Sequence, residues 1–576
     1  MSKKRLLRHL YPLYLFEDTS LIGNVIAVDT SSVVVKVENE DVLSEIQVNN
    51  LVAIKASKQR QTLIGMVSKI IRKFSEMLDD SDEIEKDDVV KITLIGTLLD
   101  KFGTRENIFK RTLESVPEIT AQCYIMNNED LSNFMSVLSV NSEGKDNSLK
   151  IGNYTLNKDA TAYLDGNRLF QKHAVIVGST GSGKSCTVAT LIEEIAKLQS
   201  SNAVVFDIHG EYEPIIGENI KHFKIAGPSD GVSDGFIYLP YWLLTYEEMI
   251  SMMIDRSDNN APNQAMIFSR TVYKCKKDYL ISVGKSDIVD DITIDSPTPY
   301  DIKTLLDELN AINSEVVPGA KAGSTKKGDF NGTLSRFIQR LENKVSDKRL
   351  NFLFSSDESL LNYDYMVELC SKLMLPASSN GGVKIIDFSE VPSDVLPLVV
   401  SLVARLIFSV QQWTDREKIN PIAIFCDEAH LYIPQNTKQG IEAQSLNSFE
   451  RIAKEGRKYG IGLVVITQRP SEVDRTVLSQ SSNFIAMRLT NADDQNVIKK
   501  LLPDSLGNFG ELLPILDVGE ALIVGDASLL PSRINVNKPN PEPNSATIGF
   551  WSEWSKESTD NSLDIAIESL RRQTKI

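Results

Sequence analysis

Residues 174–208 read AVIVGSTGSGKSCTVATLIEEIAKLQSSNAVVFDI. An unbroken apolar run leads into a glycine-rich turn, then a helical stretch, then a second apolar run. Strand–helix–strand with fully apolar strands predicts a parallel sheet covered on both faces. Inside this unit, Gly178-Ser179-Thr180-Gly181-Ser182-Gly183-Lys184-Ser185 satisfies G-x-x-x-x-G-K-[ST] at every fixed position. The glycines let the backbone curl so that its N–H groups surround a phosphate. The helix that follows, through Cys186, offers its N-terminal dipole to the same anion. Lys184 is suited to reach the β- and γ-phosphates, and Ser185 to ligate Mg2+. The flanking strand and helix are the context the motif needs, so ATP with Mg2+ is the expected ligand.

The same apolar patterning returns at VKIIDF (383–388), PIAIFCDE (421–428), GLVVITQ (462–468) and NFIAMRL (483–489). The second of these ends in two carboxylates, Asp427 and Glu428. In ATP-hydrolysing enzymes with such a loop, the first acid holds Mg2+ through water and the second polarises the attacking water. The pair therefore favours hydrolysis over binding alone. Asp427-Glu428-Ala429-His430 also invites a DEAH-box helicase reading. That reading is set aside, because Lys184 and Asp427 are too far apart for such a core and no second module of the same kind follows. Gln468 closes the next apolar run, where a polar side chain can sense the γ-phosphate or hold the attacking water. A helix is expected from Ala443 to Tyr459, with Arg451, Lys454, Arg457 and Lys458 on it. Arg451 and Arg457 fall about 240° apart around its axis, so they cannot point the same way. One of them suits a finger reaching a neighbouring subunit's γ-phosphate; a solvated basic face is the alternative. Asp207, His209 and Glu211 form a third cluster, just beyond the strand after the loop helix. Ligands of doubly wound sheets sit at such strand ends.

Upstream, residues 20–74 alternate in short runs rich in Val, Ile and Thr: IGNVIAVD, SSVVVKVE, LVAIKAS and TLIGMVSKII. Close turn signals between them predict a small sheet or barrel. An acidic segment with Asp79, Asp80, Asp82, Glu83, Glu85, Asp87 and Asp88 reads as a solvated loop. VVKITLIGTLL (89–99) then resumes the strand pattern. The expected organisation is α/β, with an N-terminal β-barrel over 1–150 and the first part of an ATPase core over 151–235. A helical insertion over 236–380, the second part of the core over 381–537 and a tail over 538–576 complete it. The insertion carries LSRFIQRLENKV (334–345) at helical spacing, preceded by the Gly/Lys/Ser-rich GAKAGSTKKGD (319–329).

The 576 residues exceed what one core supports. A 42% hydrophobic share excludes wholesale disorder. Lys and Arg number 62 against 78 Asp and Glu, net −16, which excludes a uniformly basic nucleic-acid coat but not a local basic channel. Five cysteines without a C-x-x-C pair argue against zinc ribbons and disulfide scaffolds and for a reducing cytoplasm. The longest apolar stretch, Val395 to Val410, holds Pro397 and Arg405 and is short for a bilayer span. No membrane role is expected.

GSTGSGKS (178–185), VFDIHGEY (205–212), IFCDEAH (424–430), RIAKEGRKYGIGLVVITQRPSEVD (451–474) and NFIAMRLTNADDQ (483–495) together resemble the HerA family of the FtsK–HerA superfamily. Its members are hexameric ring ATPases that move along double-stranded DNA. The resemblance implies a RecA-like core with an inserted helical bundle, a barrel that docks a partner, and a C-terminal brace around the neighbouring subunit. It implies ATP binding along 178–186, Mg2+ on Ser185 and Asp427, Glu428 as catalytic acid, Gln468 as sensor and Arg457 as the better match for the finger. Asp207 and Glu211 match family acids of unassigned role. It further implies a homo-hexamer with duplex DNA in its pore and a partner effector, a nuclease or a sirtuin-like NADase, on the barrel. DNA end processing or antiviral defence would be the setting. Lys321, Lys326 and Lys327 are pore candidates. A rival reading keeps the ring but makes it a nucleotide-gated scaffold that activates a partner with little translocation. A monomeric NTPase acting on a small substrate is a third.

Overall fold

The computed structural model describes residues 20–38, 44, 46–48, 50–58, 61–75, 85–99, 108–111, 113, 115–127, 129–131, 134, 148–155, 157–318, 325–435, 437, 439–502, 510–528, 530–545, 548–555 and 563–573. Asp79, Asp80, Asp82 and Glu83 of the acidic segment, and Lys321, lie outside these. The chain forms two compact units, 1–194 with 482–539 and 195–481 with 540–576.

The first unit opens with β1 (Leu21–Val28), β2 (Ser32–Val37), β3 (Leu51–Lys55), β4 (Gln61–Ser75), β5 (Glu85–Leu99), β6 (Ile108–Lys110) and β7 (Gln122–Ile125). Their order is β2-β1-β7-β3-β4-β5, and β2 pairs back onto β5, closing a six-stranded antiparallel barrel with β6 added at β5. Alternation sends every second side chain inward, so Val33 and Val35, Val52 and Ile54, and Val90 and Ile92 pack one apolar core. Closure needs strongly coiled strands. Register shifts between Val25 and Ala27 on β1 and between Val67 and Lys69 on β4 supply local bends. Beyond the barrel come β8 (Ser148–Tyr154), β9 (Asn157–Asp165), β10 (Ala174–Val177) and helix α1 (Lys184–Ala196).

The second unit is built on β11 (Ser201–Asp207), β12 (Ile220–Ile225), β13 (Phe236–Ile237), β16 (Gly381–Asp387), β17 (Ile422–Cys426) and β18 (Ile461–Thr467). They run in the order β13-β12-β16-β11-β17-β18 with every pair parallel. All residues of β17 and β18 are buried, as a sheet covered on both faces requires. Asp207 is the register partner of Asp387, and Phe206 that of Cys426. Aspartates 387, 207 and 427 therefore stand in a row at the carboxyl ends of three adjacent strands.

Between β13 and β16 the chain is mainly helical, with helices at Tyr246–Met253, Ala261–Ser282, Ile302–Ser314, Ser335–Ser346 and Tyr365–Met374. An exposed hairpin of β14 (Val316–Pro318) and β15 (Thr325–Lys327) carries Lys326 and Lys327. Helix α2 (Leu396–Trp413) has the length and composition to cross a bilayer, yet most of it is buried within this unit. Its Arg405 forms a two-pronged ion pair with buried Glu248, 2.8 Å on each side. Helix α3 spans Ile441–Glu455, and residues 456–459 form a tighter 3-10 turn instead of continuing it. Gly460, at φ +72°, then reverses the chain into β18. Arg457 thus leaves the regular helix on which the angular argument was built.

The remaining strands return to the first unit: β19 (Asn483–Ala486), β20 (Glu520–Gly525) and β21 (Ser532–Val536). Their sheet runs β10-β19-β20-β21-β8-β9. Among the described residues of this sheet only β10–β19 is parallel; the fully buried β19 pairs antiparallel with β20 on its other side. The tail carries exposed Trp551 and Trp554 on a short helix, Phe550–Trp554. Before it, the Asn544 N–H donates to the Glu211 carbonyl at 2.7 Å.

Candidate functional site

In the first unit, β10 delivers the chain to Gly178 and α1 starts at Lys184. Gly181 and Gly183 sit at φ +72° and +103°, a region that side chains disfavour. A Cβ on Gly183 would also meet Met487 at 3.0 Å. The curl is pinned from outside: Ser179 N–H donates to the Arg488 carbonyl at 2.8 Å, and Gly519 N–H to the Ser182 carbonyl at 2.9 Å. Thr187 closes the helix start by donating its N–H and hydroxyl to the Gly183 carbonyl. Thr180 and Gly181 are exposed at the tip, while Lys184 and Ser185 are largely buried at its base. Cys186, half-buried, follows in the first helical turn. Ser182 is fully buried, and its hydroxyl has no hydrogen-bond partner among the described residues. An orphaned buried hydroxyl costs roughly 1–3 kcal/mol, and a phosphate oxygen is the acceptor that would relieve it. The loop thus fits a nucleotide polyphosphate by backbone shape as well as by residue type.

In the second unit, β17 ends at Cys426, and Asp427 and Glu428 follow, both buried. Asp427 Oδ1 accepts the Glu428 N–H at 2.9 Å, and Oδ2 accepts the Tyr212 hydroxyl at 3.1 Å. Tyr432 donates to the Asp427 carbonyl at 2.8 Å. Glu428 adopts φ 45°, ψ 44°, a left-handed conformation costing ~1–3 kcal/mol for a residue with a side chain. Its Oε2 accepts from Gln468 Nε2 at 3.3 Å and lies 3.3 Å from His430 Nδ1. The same ring nitrogen is 3.3 Å from Thr467 Oγ1. An amide and an imidazole thus converge on one oxygen of the carboxylate, which restricts its orientation.

The third cluster divides. His209 is exposed. Asp207 is buried and accepts the N–H groups of Glu211 at 3.0 Å and Tyr212 at 2.9 Å. Burial raises the Asp207 carboxyl to about 7, with neighbouring Asp427 and Asp387 adding to the rise and the two amides opposing it. Burial, reinforced by Asp427, pushes the Tyr212 phenol well above its ordinary range, which keeps it a donor. Among the described residues no group of three or more His, Cys, Asp or Glu is placed to hold a metal ion. Mg2+ bound largely by phosphate oxygens and water needs fewer protein ligands than that.

The two arginines differ in company. Arg451 donates to Gln412 Oε1 at 3.0 Å and stacks over the Phe408 ring at 4.8 Å. Arg457 is exposed on the 3-10 turn after α3, with no hydrogen bond or ion pair among the described residues. Tyr212, His430 and Thr467 were assigned no role on sequence grounds. His430 and Thr467 adjoin Glu428 and Gln468 in the chain, which is a usable signal, whereas nothing in the spacing links Tyr212 to Asp427.

Residues 149–407 match the family model for the central domain of helicase HerA, and residues 306–539 match the model for the helicase HerA-like C-terminal domain. The chain is 26% identical over 401 residues to the DNA double-strand break repair helicase HerA of Saccharolobus solfataricus, covering 68% of this chain and 69% of that protein. It is 26% identical over 460 residues to the protein of the same name from Pyrococcus furiosus, covering 73% and 77%. Among solved structures, the bacterial conjugative coupling protein TrwB aligns over 71% of this chain and 94% of its own, at 12% identity and a TM-score of 0.43. VirB4 of Thermoanaerobacter pseudethanolicus aligns over 68% and 96%, at 16% identity and a TM-score of 0.43. With a phosphate loop, an Asp-Glu strand end and HerA models spanning 149–539 between them, the chain belongs to the HerA family of P-loop ATPases.

Proposed function

We propose that the chain is the subunit of a homo-hexameric ring that hydrolyses ATP to move along double-stranded DNA held in its central pore. The observation that carries the reading is the complete phosphate loop together with a Glu428 carboxylate held by Gln468 and His430. The relatives' names, DNA double-strand break repair helicases, support DNA as the track. The backbone of 178–183 and Lys184 bind the β- and γ-phosphates. Ser185 and Asp427 would hold Mg2+, which would supply charge neutralisation on those phosphates. Glu428 takes the proton of the attacking water and Gln468 fixes that water's place. Arg457, exposed and without a hydrogen bond or ion pair among the described residues, is the group available to stabilise charge on a neighbouring subunit's γ-phosphate; Arg451 is already engaged.

The division into barrel (1–150), split core (151–235 and 381–537), helical insertion (236–380) and tail (538–576) belongs to this proposal. So does a partner effector, nuclease or sirtuin-like NADase, on the barrel, in DNA end processing or antiviral defence. Five free cysteines agree with a cytoplasmic setting. Contacts to DNA are expected to be mostly to phosphates and hence steeply salt-sensitive. Duplex DNA added at low salt should raise ATP hydrolysis several-fold, and absence of any effect would end the translocase reading. The net charge of −16 favours one competitor, the nucleotide-gated scaffold. Equal activation of the partner by wild-type and Glu428→Gln rings would select that competitor.

A further inference from the structure

The loop that follows β11 has a job that the reaction described above does not use. Both oxygens of the Asp207 carboxylate are committed to it: one accepts the Glu211 N–H at 3.0 Å, the other the Tyr212 N–H at 2.9 Å. A cation at Asp207 would have to compete with these two amides, so a ligand role for this acid is disfavoured. The turn instead delivers Tyr212. Its ring is fully buried, and its hydroxyl donates to Asp427 Oδ2 at 3.1 Å. The other Asp427 oxygen takes the Glu428 N–H at 2.9 Å. A carboxylate has a broad, soft terminal torsion, and one donor on each oxygen removes that freedom.

We propose that Tyr212 is a positioning residue for Asp427: the turn capped by Asp207 holds the phenol so that it fixes the orientation of the Asp427 carboxylate before Mg2+ and nucleotide arrive. This rests on the reading of Asp427 as the Mg2+ acid. Groups that orient a metal-binding side chain from behind typically change metal affinity or activity by about 10–100-fold when removed. Phenylalanine at 212 keeps the buried ring and deletes only the O–H.

The test uses the full chain with a non-hydrolysable ATP analogue and Mn2+, with bound Mn2+ followed by electron paramagnetic resonance. Tyr212→Phe should need about 10–100-fold more Mn2+ for saturation. Its affinity for the analogue in EDTA should stay at the wild-type value, and its metal-free melting temperature should fall by only a few degrees, as loss of one buried hydrogen bond does. Asp207→Asn, which can accept only one of the two amide bonds, should shift Mn2+ affinity in the same direction and by less. Wild-type Mn2+ affinity in Tyr212→Phe, alongside lost affinity in Asp427→Ala, overturns the positioning role and leaves the reading of Asp427 intact. Wild-type Mn2+ affinity in Asp427→Ala overturns the reading of Asp427 itself, and the positioning role with it.

Discussion

The phosphate loop and the acidic end of β17 solve their problems by different means. The loop is built from eight consecutive residues, 178–185, and its chemistry is mostly backbone: two glycines at positive φ and a helix start. The acidic end is assembled from side chains far apart in the chain. Tyr212 lies 215 positions from Asp427, and Gln468 lies 40 from Glu428. A backbone site tolerates little change in conformation but asks few partners for help. A side-chain site depends on every element that brings a partner to it. Damage to the first should therefore appear as lost nucleotide binding, and damage to the second as lost turnover or metal affinity with nucleotide binding kept.

The largest effect is expected at the residue proposed above as the finger between neighbouring subunits. Arg457→Ala should lower turnover by about 10³–10⁵-fold, as loss of an arginine finger does, with nucleotide affinity near wild type by calorimetry. Arg451→Ala, which loses a glutamine contact and a ring contact, should leave turnover within a few-fold; the reverse ranking would move the finger to Arg451. Next comes Glu428→Gln, expected to lose roughly 10²–10⁴-fold in hydrolysis, the usual range for a general base, while still binding ATP. Lys184→Ala should fail earlier, at nucleotide binding. If both variants lost binding alike, the contrast between the two regions would be wrong.

The loop was legible from sequence because its determinants are contiguous and its residue types are those its backbone demands. The parallel strands were legible for a related reason, since a strand buried on both faces must be apolar throughout, as β17 and β18 are. What could not be read are the contacts that exist only once the sheet has formed. Tyr212 looks like any aromatic after a turn until β11 and β17 lie side by side. The end of α3 was misplaced because Arg457 continues a plausible helical pattern, and only the tight reversal at Gly460 into β18 shows why the helix stops at Glu455.

Smaller effects sharpen the same contrast. Gln468→Ala removes one hydrogen bond to a charged carboxylate, worth ~1.5–3 kcal/mol, so turnover should fall by roughly ten- to a hundredfold. The acidic end should also respond to pH. The Asp207 carboxyl is raised to about 7 in the fold from an ordinary value of 3.8. Between those values the unfolded chain has released a proton that the folded chain still holds, so stability should fall as pH rises from about 4 to 7. Denaturant melts of wild type and Asp207→Asn should draw closer together or cross as pH rises through that window, and parallel curves would contradict the assignment. The smallest change expected is in the loop. Ser182→Ala removes an orphaned buried hydroxyl, so the nucleotide-free protein should gain about 1 kcal/mol while its ATP affinity drops. A stability loss without nucleotide would show that the hydroxyl already has a partner.

The bond from Asn544 to the Glu211 carbonyl makes the C-terminal end a poor place to cut. Trimming the chain ahead of residue 540 is a tempting way to remove the exposed tryptophans and improve handling. It would also untie the loop that carries Tyr212, and the shortened protein would then need more magnesium than the parent, so a sluggish truncation should not be mistaken for the loss of a subunit contact.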